Sequence, residues 1–152
     1  MRLEQNPMPA TAAPRWDYRG TFGWPVRWHN DGLTLVTGSG ITAVAIPKAM
    51  AGPVLAALAR QGCSGPALSL PTKQGMVAIL LAEADMLASV GETLPPEVKI
   101  LTAGTAIPLP NERRPDDLAH WLVAPDTHQR WLPSLAAVLA SIRSVRHLLP
   151  TS

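Results

Sequence analysis

The apolar positions of this chain come in short runs, and most of those runs do not repeat with a helical period. Leu33–Val36 and Ile41–Ile46 are rich in β-branched and apolar residues and flank Gly38-Ser39-Gly40, which reads as a strand–turn–strand hairpin over 33–37 and 41–46. Pro66–Leu70 and Met76–Leu81, joined by Pro71-Thr-Lys-Gln-Gly75, read as a second hairpin. The run 76–81 is continuous instead of alternating, as in a strand buried on both faces. Val98–Thr102 and Thr105–Leu109 read as a third hairpin around Ala103-Gly104.

Helical spacing occurs in two places. Between Pro47 and Arg60, Met50, Val54 and Leu58 recur at four-residue steps, with Pro53 expected to break or restart the helix and Gly62 to close it. Between 131 and 149, Leu132, Leu135, Val138, Leu139, Ile142, Val145 and Leu149 share one face, which predicts a long amphipathic C-terminal helix. Pro133 suits its first turn, and Arg143, Arg146 and His147 suit its negative C-terminal end. The expected fold is therefore α+β: a mostly antiparallel sheet built from hairpins, with covering helices. Residues 1–14, rich in Pro, Ala and Asn, read as a disordered arm, and 15–152 as one α/β domain.

Composition changes this picture little. The chain has 152 residues, 47% of them hydrophobic and 16% charged, enough apolar side chain for a core. Sixteen prolines and eleven glycines favour short elements over a long bundle. The net charge of +2 permits nucleic-acid binding without requiring it. The single cysteine, Cys63, excludes an internal disulfide and an all-cysteine zinc site. No run is long enough to span a membrane and no signal peptide is evident, so a cytoplasmic protein is expected.

Three patterns, in order along residues 22–125, carry a resemblance. The first is Gly23-Trp-Pro-Val26 followed by Val36-Thr-Gly38 and Gly40-Ile-Thr-Ala-Val-Ala-Ile-Pro47. The second is Leu70-Pro-Thr-Lys-Gln-Gly75-Met-Val-Ala-Ile-Leu80, and the third is Ile100-Leu-Thr-Ala-Gly104-Thr-Ala-Ile-Pro108-Leu-Pro-Asn111. Together they resemble the N-terminal domain of bifunctional DNA primase/polymerases (prim-pol), common in actinobacteria and their mobile elements. The resemblance implies a metal-binding acidic pair at the end of the first pattern's second strand. Ala45 and Pro47 stand there. It implies a nucleotide-contacting histidine in the second pattern, where Val77 stands, and a further metal-binding aspartate in the third. That third stretch has no carboxylate, and Glu97 is the nearest. The chain resembles the family with its chemistry removed.

The residues themselves point the same way. Two-metal nucleotidyl transfer needs converging carboxylates. No acidic residue alternates with another on an expected core strand, although Glu83 and Asp85 have the spacing to share a strand face. Asp116-Asp117 suits a helix start. His29, His120, His128 and His147 are isolated, and neither a phosphate loop nor a nucleophile elbow is present. No catalytic residue, metal ligand or cofactor is assigned.

Two functions follow. One is a non-catalytic prim-pol-like module, accessory or regulatory, that binds nucleic acid, a protein or a small molecule. Its candidate single-strand contacts are Arg15, Trp16, Arg19, Trp24, Arg27 and Trp28, where cations interleave with aromatics. The competing reading of the same tryptophans is a hydrophobic lid over the sheet. Candidate contacts to a protein partner are Trp121, Trp131, Arg143 and Arg146, and sheet edges offer a route to a homodimer. The other function is an active primase/polymerase or nucleotide-processing enzyme with displaced ligands, which requires Glu83/Asp85, Asp31 or Glu97 to converge.

Overall fold

Among the described residues, eight strands and three helices follow in the order α1 (Tyr18–Phe22), β1 (Val26–His29), β2 (Gly32–Val36), β3 (Ile41–Pro47), α2 (Lys48–Arg60), β4 (Ala67–Thr72), β5 (Gly75–Glu83), β6 (Lys99–Leu101), β7 (Ala106–Pro108), β8 (His120–Val123) and α3 (Leu135–Arg146). The computed structural model describes residues 18–29, 32–38, 40–73, 75–84, 94–101, 103–110, 119–126 and 131–146. The expected arm at 1–14 lies outside them. No described helix is long and apolar enough to cross a membrane.

The strands form two antiparallel sheets, one of five strands in the order β6-β3-β5-β4-β8 and one of three in the order β1-β2-β7. β5 lies at the centre of the larger sheet, and its run Ala78–Ala82 is buried throughout, as its unbroken apolar sequence implies. Ala78, Leu80 and Ala82 face one side with Val44 and Ile46 of β3, and α2 and α3 pack on them through Val54, Leu58, Val138 and Ile142. Ile79 and Leu81 face the other side with Ile41 and Ala43, against Val26, Leu35 and Ile107 of the smaller sheet. The molecule is thus layered: helices, five-stranded sheet, three-stranded sheet.

The β4–β5 hairpin forms as expected, with Thr72 opposite Gly75. The other two expected hairpins do not. β2 pairs with β1 and β7, and β3 pairs with β5 and β6, so the segments flanking Gly38-Ser39-Gly40 belong to different sheets. Only Gly38 and Ile41 bridge, each N–H donating to the other's carbonyl at 2.9 Å. β6 and β7 part in the same way around Gly104, which has φ +88°. The two chain segments run side by side, β3 on β6 and β2 on β7, as one ribbon bent at a corner. Buried Thr37 locks that corner: its N–H donates to the Thr105 carbonyl at 2.9 Å, and its Oγ1 accepts from the Thr105 N–H at 2.9 Å. Its carbonyl accepts from Gly104 N–H at 2.8 Å. These bonds commit the backbone beside both turns to the corner, so the tight turn closed by Gly38 and Ile41 is not extended into a β2–β3 ladder, and β6 and β7 part as well.

α2 runs unbroken through Pro53. The proline removes the donor for the Ala49 carbonyl, but Ala49 is exposed, so water can serve that carbonyl. The helix ends in a Schellman motif: Cys63 N–H donates to Leu58 carbonyl at 2.9 Å and Gly62 N–H to Ala59 carbonyl at 3.0 Å, with Gly62 at φ +70°. Cys63 packs against the helical core, a small apolar filler at the end of that turn.

α3 is shorter than the helix expected over 131–149. Ser134 caps it, its Oγ accepting from Ala137 N–H at 3.1 Å, so Trp131, Leu132 and Pro133 precede the helix. Pro133 and Ser134 are held on the sheet instead: Glu83 N–H donates to Pro133 carbonyl at 2.7 Å, and Ser134 bridges Glu83 in parallel. Positions 147–149 lie outside the described residues.

Candidate binding cleft

On the side of the large sheet opposite the helices, cover decreases along β5. Leu81 is fully buried, Ile79 is buried, Val77 is half-buried, and Gly75 at the start of the strand is exposed. Where the second layer stops, the sheet surface becomes the floor of an open cleft of ≈ 520 Å³.

Strand register builds that floor. Lys99, Ala45 and Ile79 are cross-strand neighbours on β6, β3 and β5, and Pro47, Val77 and Leu70 form a second row on β3, β5 and β4. Paired residues share a face, so both rows present side chains to the same side. Ala45 is the small member between two longer side chains, which hollows the surface there. Pro71, Thr72 and Met76 at the β4–β5 turn, and Pro96 and Glu97 ahead of β6, form the walls. Thr72 Oγ1 donates to the Gly75 carbonyl at 2.7 Å, which ties its hydroxyl to the turn. Among the described residues, the charged groups lining the cleft are Glu97 and Lys99, both exposed.

The positions singled out by the resemblance, Ala45, Pro47 and Val77, thus lie together in one cleft, with Glu97 at its margin. Leu70, Ile79, Lys99 and Leu101 also line it, and nothing in their local sequence marks them. Only the pairing of β3 with β6 brings Lys99 beside Ala45.

Of the acidic residues proposed as displaced ligands, the two described ones, Glu83 and Glu97, do not gather here. Glu83 sits opposite Ile41, six residues from Val77 along β5, or about 20 Å at strand rise. Asp31 and Asp85 lie outside the described residues. Among the described residues no group of three or more His, Cys, Asp or Glu is placed to hold a metal ion. His120 is exposed on the edge strand β8, and His128 lies outside the described residues.

The aromatic–basic segment divides. Trp24 is 2% exposed and stacks on buried Tyr18 at 5.4 Å with 7° between the rings, while Phe22 packs on it at 5.1 Å. Trp24 is therefore part of the lid, and no face of it is open for base stacking. The Arg19 guanidinium donates to the Val26 carbonyl. Arg27 and Trp28 are exposed on the edge strand β1, Trp28 at 59%. As sequence neighbours in a strand they point to opposite faces. Arg15 and Trp16 lie outside the described residues.

The proposed partner-binding residues divide too. Trp121, half-buried on β8, sits 6.3 Å from Tyr18 and 6.5 Å from Trp24, which places it in the aromatic core. Trp131 is 71% exposed before α3, and Arg143 is half-buried on that helix. The Arg146 side chain lies outside the described ones.

No protein-family model, curated protein or solved structure matches the chain.

Proposed function

We propose that this chain is a non-catalytic binding module on a prim-pol-like scaffold, acting in an accessory or regulatory role through the cleft. One observation carries the reading. Ala45 and Pro47, identified from one sequence pattern, and Val77, identified from another, line the same cleft, and all three are apolar. Their convergence supports the alignment with the family, and their chemistry supports the loss of its reaction. A two-metal centre needs at least two carboxylates on one site, and the described lining supplies only Glu97.

The test is template-directed nucleotide incorporation and primer synthesis with Mg²⁺ or Mn²⁺. The expected result is no product above a protein-free control. Incorporation that disappears in Glu97→Gln would overturn the reading in favour of an enzyme with displaced ligands.

A second reading of the ligand, single-stranded nucleic acid, is favoured by the exposure of Trp28 on one face and Arg27 on the other face of the edge strand β1. It predicts salt-sensitive, Mg²⁺-independent anisotropy with a labelled single strand, weakened by Trp28→Ala and Arg27→Ala. Flat anisotropy at low salt removes it.

A further inference from the structure

We infer that the cleft takes a small monocarboxylate with an extended apolar body, an alkanoate or arylalkanoate, with its carboxylate at Lys99. This rests on the reading of the cleft as the binding site of the module. The volume of ≈ 520 Å³ falls within the range of roughly 300–1,000 Å³ usual for small-molecule sites. The floor is aliphatic: Ala45, Leu70, Val77, Ile79 and Leu101. Three prolines, Pro47, Pro71 and Pro96, fix parts of its margin, so little ordering is needed on binding.

Charge narrows the class. Lys99 stands in the same cross-strand row as Ala45 and Ile79, on the edge strand β6. Its methylene stem extends the apolar floor while the exposed ammonium stays at the margin. An apolar body lying on that row ends at a cation, which matches one carboxylate. Glu97 lines the same cleft and repels a second negative group. A nucleotide triphosphate would bring several negative charges to a site whose described lining has one ammonium and one carboxylate. Phosphate sites instead gather several donors from backbone N–H groups, Arg or Lys. A monoanion with a long apolar part satisfies all of these features together.

The experiment is calorimetric titration of the full chain with octanoate, octanol, octylammonium and ATP, with amide chemical shifts locating each site. Octanoate is expected to bind best, octanol about 3-fold more weakly, and octylammonium and ATP more weakly still. Lys99→Ala should reduce octanoate to the level of octanol and leave octanol unchanged. That variant changes an exposed side chain, so it keeps the fold. Ala45→Trp, which fills the hollow, should abolish both. Equal affinity for octanoate and octanol, no octanoate binding, tighter ATP binding, or shifts confined to residues away from 45, 77 and 99 overturns the inference. Failure here with no nucleotide incorporation leaves the module reading standing, and nucleotide incorporation removes that reading whatever octanoate does.

Discussion

The two faces of the central sheet differ in how completely they are covered. On the helical face, α2 and α3 bury Val44, Ile46, Ala78, Leu80 and Ala82. On the other face, the smaller sheet and the aromatic lid bury Ile41, Ala43 and Leu81 but stop before Val77 and Leu70, which stay half-buried. The same strands supply both faces, so strand composition does not explain the difference. The extent of the covering layer does: it buries Leu81 and Ile79 on β5 and leaves Val77 half-buried and Gly75 exposed. One face therefore serves as core, and the uncovered end of the other is available for binding.

Substitutions at paired positions of β5 test that contrast most strongly. Leu80→Ala, on the helical face, should cost about 3 kcal/mol in urea denaturation, since truncation there leaves a cavity. Next is Gly65→Ala. A Cβ at Gly65 would lie 2.4 Å from Pro133 Cδ, in a ring that cannot rotate away, and the expected loss is about 2 kcal/mol. Ser134→Ala removes the cap of α3 and should cost about 1 kcal/mol, seen as a lower thermal midpoint. The smallest effect is expected at the cleft. Val77→Ala should cost well under about 1 kcal/mol, because the half-buried side chain leaves no closed void. A cost at Val77 equal to that at Leu80 would mean that the cleft is core and the contrast is wrong.

Local signals were legible in the sequence and pairing choices were not. The β4–β5 hairpin could be read because its turn and both its strands are contiguous, and α2 because Met50, Val54 and Leu58 mark one face. Gly38-Ser39-Gly40 and Ala103-Gly104 misled because glycine at positive φ serves a hairpin and a sheet-to-sheet corner equally well. The choice was made by Thr37 and Thr105, 68 residues apart. Trp24 and Trp28 share a segment and similar neighbours, yet one is core and the other surface, according to which strand and helix pack over them. In the cleft, Ala45, Pro47 and Val77 were visible through the resemblance. Lys99 became visible only once β6 was known to flank β3. The cap at Ser134 was hidden by the apolar spacing of Leu132, which continues the helical pattern before the helix begins.

The bent ribbon has a kinetic consequence. β4 and β5 meet across two residues of chain, as do β1 and β2, but β2 meets β7 only across a long stretch of chain, with Thr34 opposite Pro108. Loop closure over that separation must come before any of the corner's hydrogen bonds can form. The local hairpins and α2 are therefore expected early, and the pairing of β7 with β2 last. Refolding kinetics should show φ-values near zero for Leu35→Ala and Ile107→Val and high values for Leu80→Ala, and the reverse order would place the corner in the folding nucleus. The layer that leaves the cleft open is then also the last to be completed.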